Sequence, residues 1–72
     1  MTFSERLSSL RKDRGLTQKQ AAVIFELSAY GYQRYEYGER EPVISVVIKM
    51  ADYFGVSIDY LVGRTDKPEV NK

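Results

Sequence analysis

The side chains best suited to recognising another molecule lie between positions 28 and 40. Tyr30, Gln33, Arg34 and Tyr37 recur at spacings of three and four, which at ~100° per residue places them on one side of a helix. A glutamine amide matches the donor–acceptor pair that adenine shows in the major groove, and a guanidinium matches the two acceptors of guanine. The Tyr30 ring can meet a thymine methyl while its hydroxyl meets a phosphate. Tyr32, Tyr35 and Glu36 fall on the opposite side and continue a core face. That geometry argues against an aromatic platform for single strands, because two of the four tyrosines between 30 and 37 point inward. The spacing alone leaves two readings open, a face that reads a groove and an ordinary solvated face.

Other chemistries are closed by composition. The 72 residues include neither cysteine nor histidine. Disulfides, thiolate or imidazole metal sites and Ser-His or Cys nucleophiles are therefore excluded. No convergent set of acids or bases is visible, so the expectation is a protein that is not an enzyme and uses no metal or cofactor. The formal net charge is +1, with seven bases and six acids in residues 1–42 and four of each in 43–72. Bulk electrostatics thus gives no argument for a nucleic-acid partner, and any such case must rest on local arrangement. The longest apolar run, Ala21–Phe25, is too short to span a membrane, and no signal peptide opens the chain. Cytoplasmic residence is expected.

Five helices are needed to position these residues. Thr2 with Glu5 and Thr17 with Gln20 both read as capping boxes opening a helix. Phe3, Leu7 and Leu10 mark the apolar face of the first helix, which Gly15 should end. Ala21, Ala22 and Phe25 mark the second, and after a break at Glu26-Leu27, Ser28 caps a third helix over Ala29–Tyr37. Glu39–Pro42 is a polar connector. Ile44, Val47, Ile48, Ala51 and Phe54 predict the inner face of a fourth helix. Ser57 caps a fifth, with Ile58, Leu61 and Val62 inward. Residues 1–63 form the expected domain, and residues 64–72, with Pro68, read as a polar, frayed tail. The fold class is all-α.

Two short helices joined by a tight turn are the geometry of a helix-turn-helix. Here the chain resembles the Cro-and-repressor-type, or Xre, helix-turn-helix family. The match runs through Leu10-Arg11, Gly15–Gln18, Ala22, Leu27-Ser28, Tyr35-Glu36, Gly38, Arg40–Pro42 and Phe54–Gly63, covering residues 2 to 63. It departs from the family at three places. Glu26 stands where the turn usually carries glycine, Ala21 where the second helix usually carries leucine, and Gly31 interrupts the third helix. Glu26 is therefore expected to adopt a left-handed conformation at a cost of roughly 1 kcal/mol.

The resemblance implies a compact five-helix, lambda-repressor-like DNA-binding fold whose helices 2 and 3 form the helix-turn-helix. It implies that Gln18, Ser28, Ala29, Tyr30, Gln33, Arg34 and Tyr37 face DNA, with Lys19 and Arg40 flanking that face as either phosphate contacts or solubilising surface cations. Gln18 would hold a phosphate at the start of helix 2 and also brace the start of helix 3. Arg11 and Glu36 would be a partly buried ion pair that orients helix 3. The implied function is sequence-specific binding of double-stranded DNA by a transcriptional regulator, a repressor occupying an inverted-repeat operator as a homodimer. The dimer would use the Pro42–Ile44 region and helix 5, with Tyr60 and Leu61 either part of that interface or part of the core. An antitoxin that binds a partner toxin and regulates its own operon is the alternative. Val23 and Ile24 are apolar where the family usually carries polar residues, which fits either partner contacts or isolated surface side chains.

Overall fold

In the computed structural model, which describes residues 1–70, five helices run in the order α1 Phe3–Asp13, α2 Gln18–Ile24, α3 Ala29–Glu36, α4 Ile44–Phe54 and α5 Ile58–Leu61. Local chemistry sets where they begin. In both capping boxes the threonine oxygen accepts from the backbone N–H three residues on, while Glu5 or Gln20 reaches back to the threonine N–H. Ser28 and Ser57 cap α3 and α5 by accepting from the N–H groups of Gly31 and Tyr60 at 3.0 Å. Each cap satisfies a donor that has no partner inside the helix.

The core joins Leu7 of α1, Ala21, Ala22 and Phe25 from α2 and its end, Tyr32 and Tyr35 of α3, Val47, Met50, Ala51 and Phe54 of α4, and Leu61 of α5. Phe25 is its centre, stacked near Tyr32 with ring centroids 6.2 Å apart and meeting Phe54 edge-on at 5.7 Å. Such edge and offset contacts add to the area buried by the rings. They fix the turn between α2 and α3 to α4 behind it.

The inner face of α4 holds three of the five expected residues, Val47, Ala51 and Phe54, and differs at the others. Met50 is fully buried, whereas Ile44 is 67% exposed and Ile48 is also exposed. The stripes 44-47-48-51 and 47-50-51-54 have the same helical spacing, and packing against α5 selects the second. Ile58 likewise faces outward, and at α5 only Leu61 is fully enclosed. Leu61 therefore has no surface to offer a second subunit. Tyr60 is half-buried with the Arg6 guanidinium 3.7 Å above its ring. Both residues serve the core, which is the second of the two places open to them.

The segment after α5 also departs from expectation. Rather than fraying at once, it returns to the body, where the Ser57 N–H donates to the Pro68 carbonyl at 2.9 Å. Asp66 lies 3.5 Å from Arg6. The segment thus meets the Ser57 N–H, which precedes α5, and the buried Arg6 guanidinium. Asn71 and Lys72, the end of the expected tail, lie outside the described residues. Gly63 is required where the chain leaves α5: its φ is +85°, and a Cβ there would collide with the Met1 carbonyl oxygen.

Candidate nucleic-acid interface

The turn between α2 and α3 closes with the Leu27 N–H on the Ala22 carbonyl at 2.8 Å and the Glu26 N–H on Val23 at 3.1 Å. Glu26 has φ +58°, the left-handed conformation expected at this position. Its carboxylate reaches Lys49 of α4 at 3.6 Å, and both side chains remain in solvent.

Behind the turn, Arg11 gathers three elements. Its Nε and Nη2 donate to Glu36 Oε2 and Oε1 at 2.6 and 3.1 Å, and its Nη1 donates to the Leu16 carbonyl at 2.8 Å. Gln18 Nε2 adds a bond to Glu36 Oε1 at 3.2 Å. The end of α3 is thus tied to α1, to the α1–α2 turn and to the first residue of α2. Side-chain exposure is 11% at Arg11 and 3% at Glu36. Burial pushes the Glu36 carboxyl up, but hydrogen bonding from Arg11 and Gln18 outweighs it and holds the group below its ordinary value of 4.5. The bond to Glu36 raises the Arg11 guanidinium in turn. Burial, followed by the nearby charge of Glu36, drives the Tyr32 phenol far above its usual range. Its hydroxyl is enclosed without a hydrogen-bond partner among the described residues.

The ion pair was legible from sequence, but the placement of Gln18 was not. Its amide braces the last turn of α3 rather than the first, because Glu36 supplies a charged acceptor and Ser28 already caps the other end. On the outer face of α3, Tyr30 is 69% and Tyr37 63% exposed. Gln33 and Arg34 lie beside them, half-buried, with Ala29 half-buried and Ser28 exposed at the N-terminal end. Lys19 is exposed on α2, where it lines a shallow depression with Leu16, Gln20, Val23 and Ile24. Arg40 is exposed on the connector, its guanidinium 5.9 Å from the Tyr35 ring.

Two positioning arginines escaped the sequence reading. Arg6 is buried, and positions 3, 6, 7 and 10 complete a helical stripe in which it occupies an inner place. The stripe was a usable signal, although Tyr60 and Asp66, more than fifty residues away, could not be inferred. Arg14 Nη2 donates to the Phe54 carbonyl at 2.9 Å, closing the end of α4.

The sequence profile of the helix-turn-helix family matches residues 7–61. The chain belongs to that family. Among curated helix-turn-helix proteins it is 35% identical over 63 residues to YonR, an SPbeta prophage-derived transcriptional regulator of Bacillus subtilis, covering 88% of this chain and 58% of the relative. It is 41% identical over 64 residues to RstR, the cryptic phage CTXphi transcriptional repressor of Vibrio cholerae, covering 89% and 57%. A transcriptional regulator from Listeria innocua, solved by crystallography, superposes with a TM-score of 0.82 at 40% identity, covering 86% of this chain and 58% of that one. The chain thus spans under two thirds of the length of these relatives. What they share with it is the helix-turn-helix unit described above. Among the described residues no helix is long and apolar enough to cross a membrane.

Proposed function

We propose that this chain is a sequence-specific double-stranded DNA-binding unit of a transcriptional regulator, and that it represses by occupying an operator. The observation that carries this reading is the outer face of α3. Tyr30, Gln33, Arg34 and Tyr37 project from a helix presented by a tight turn and clamped from behind by Arg11, Gln18 and Glu36. A major groove ~12 Å wide admits such a helix. Gln33 and Arg34 are assigned to base edges, with adenine and guanine as their natural partners. Lys19, Ser28 and Arg40 are assigned to the phosphates beside the groove, together with Ala29 at the helix start and the remaining amide donor of Gln18. The names of the prophage and phage relatives support a regulator.

A single recognition helix contacts few base pairs. Two copies related by a two-fold axis place two such helices about one helical turn, ~34 Å, apart on an inverted repeat. The exposed side chains Val43, Ile44 and Ile48 supply an apolar face suited to that pairing.

Selection of binders from random duplexes tests the reading directly. An enriched inverted repeat, bound with affinity that falls steeply as salt rises, is expected because phosphate neutralisation releases counterions. Failure to enrich any motif at any salt concentration would end it.

A further inference from the structure

Arg34, like Arg40, lies near an aromatic ring without a protein acceptor, and of the two it is the one on the outer face of α3. Arg6, Arg11 and Arg14 each place at least one N–H on a protein acceptor, and Arg6 and Arg14 lie over aromatic rings as well. Among the described residues Arg34 has no ion pair and no side-chain hydrogen bond. Its guanidinium carbon instead lies 5.7 Å from the centroid of the Tyr30 ring, one helical turn earlier. That is within the ~6 Å over which an aromatic face attracts a cation.

The difference matters because of where a guanidinium keeps its donors. All five N–H bonds are donors lying in its plane, and attraction to a ring consumes none of them as a hydrogen bond to an acceptor would. A carboxylate partner would restrain Arg34 by consuming the donors that a base edge needs. An aromatic partner restrains it and leaves them free. A long, unrestrained arginine must surrender its rotamer freedom on binding, and restraint in the free protein removes part of that cost beforehand.

We propose that Tyr30 is a positioning residue for base readout: its ring holds the Arg34 guanidinium in place, with the donors open, for bidentate bonding to guanine O6 and N7. This rests on α3 being the helix that enters the groove. It reassigns the Tyr30 ring from a contact of its own with a thymine methyl to support of its neighbour, and the phenolic hydroxyl becomes dispensable. Tyr30 is largely exposed and outside the core, so its variants fold.

The test is a double-mutant cycle read as base discrimination. Selection with the full chain and with Arg34→Ala identifies the guanine whose preference depends on Arg34. Affinities are then measured for duplexes carrying guanine or adenine at that pair. Tyr30→Phe, which keeps the ring, is expected to retain the discrimination within two-fold. Tyr30→Leu, which removes the ring face, should reduce it about two- to five-fold at that pair alone, and should have no effect there once Arg34 is alanine. Three results would overturn the inference: a loss in Tyr30→Phe as large as in Tyr30→Leu, an equal weakening on all sequences, or a Tyr30→Leu effect that persists in the Arg34→Ala background. If Arg34→Ala changes no base preference while Gln33→Ala does, the positioning role fails and the DNA-reading function stands. If the full chain enriches no motif, both fail together.

Discussion

At the scale of single residues, the orientation of α3 depends on one buried ion pair. Replacing such a pair with apolar groups is often nearly neutral, whereas removing one partner strands a charge and costs about 3–5 kcal/mol. A domain of this size holds a net margin of only ~3–5 kcal/mol. Arg11→Ala should therefore remove most of the stability seen in urea titration and lower DNA affinity with it. The double variant Arg11→Met, Glu36→Met should melt well above the single one. An unchanged melting temperature in Arg11→Ala would show that the pair is not coupled to folding. A pH dependence follows from Glu36. Its folded value lies below its ordinary 4.5, so between those values the unfolded chain binds more protons and stability rises with pH. The contribution is complete above the ordinary carboxylate value and is lost as pH falls through the folded one. Arg11 moves upward and stays charged throughout that window. Urea midpoints between pH 7 and 2.5 should fall less steeply for Glu36→Gln than for the wild-type chain. Equal slopes would place the acid sensitivity elsewhere.

Elements reveal where the sequence was sufficient and where packing had to decide. Caps are local events, and both capping boxes and the serines at 28 and 57 formed where their spacing placed them. The Arg11–Glu36 pair was equally legible, through resemblance. The inner face of α4 was legible at Val47, Ala51 and Phe54 but not at Met50, because Ile44, Ile48 and Met50 all fit the same periodicity and only the surface that α5 and Phe25 present can choose among them. Arg6 and the far partner of Gln18 depended on contacts made across the whole chain. The left-handed turn residue was readable from the absence of glycine, and its consequence is measurable. A non-glycine residue at positive φ costs ~1–2 kcal/mol. Against that, Glu26→Gly loses only an exposed ion pair with Lys49, worth ~0–1 kcal/mol, and makes the unfolded chain more flexible by a further ~0.4–1 kcal/mol. A small net gain is expected, on the order of 0.5 kcal/mol, with operator affinity unchanged. Calorimetry would decide it, and a fall in melting temperature would mean that the Lys49 contact contributes more than its exposure suggests.

For the whole molecule, the proposed repressor requires a second copy, and the surface left for it has narrowed. Leu61 is enclosed and Tyr60 lies under Arg6, which leaves Val43, Ile44 and Ile48 as the apolar side chains grouped at the start of α4. Ile44 is the first residue of that helix. A glutamate there meets a favourable helix end, so Ile44→Glu should fold like the wild-type chain, and exposed substitutions generally shift stability by no more than ~0.5 kcal/mol. Ile44→Ser is the uncharged companion, included because a new carboxylate near DNA would repel phosphate on any duplex. Linking two binding events through a dimer raises the effective concentration of the second and commonly strengthens overall binding by ~10²–10⁴-fold. Both variants should therefore sediment as monomers at concentrations where the wild-type chain pairs. They should lose affinity by a large factor on an inverted repeat while binding an isolated half-site as the wild type does. Loss on the half-site in Ile44→Glu alone would report charge repulsion. Equal loss on both duplexes in Ile44→Ser would mean that Ile44 supports α3 rather than a partner. Unchanged sedimentation in both variants would move the subunit contact away from α4.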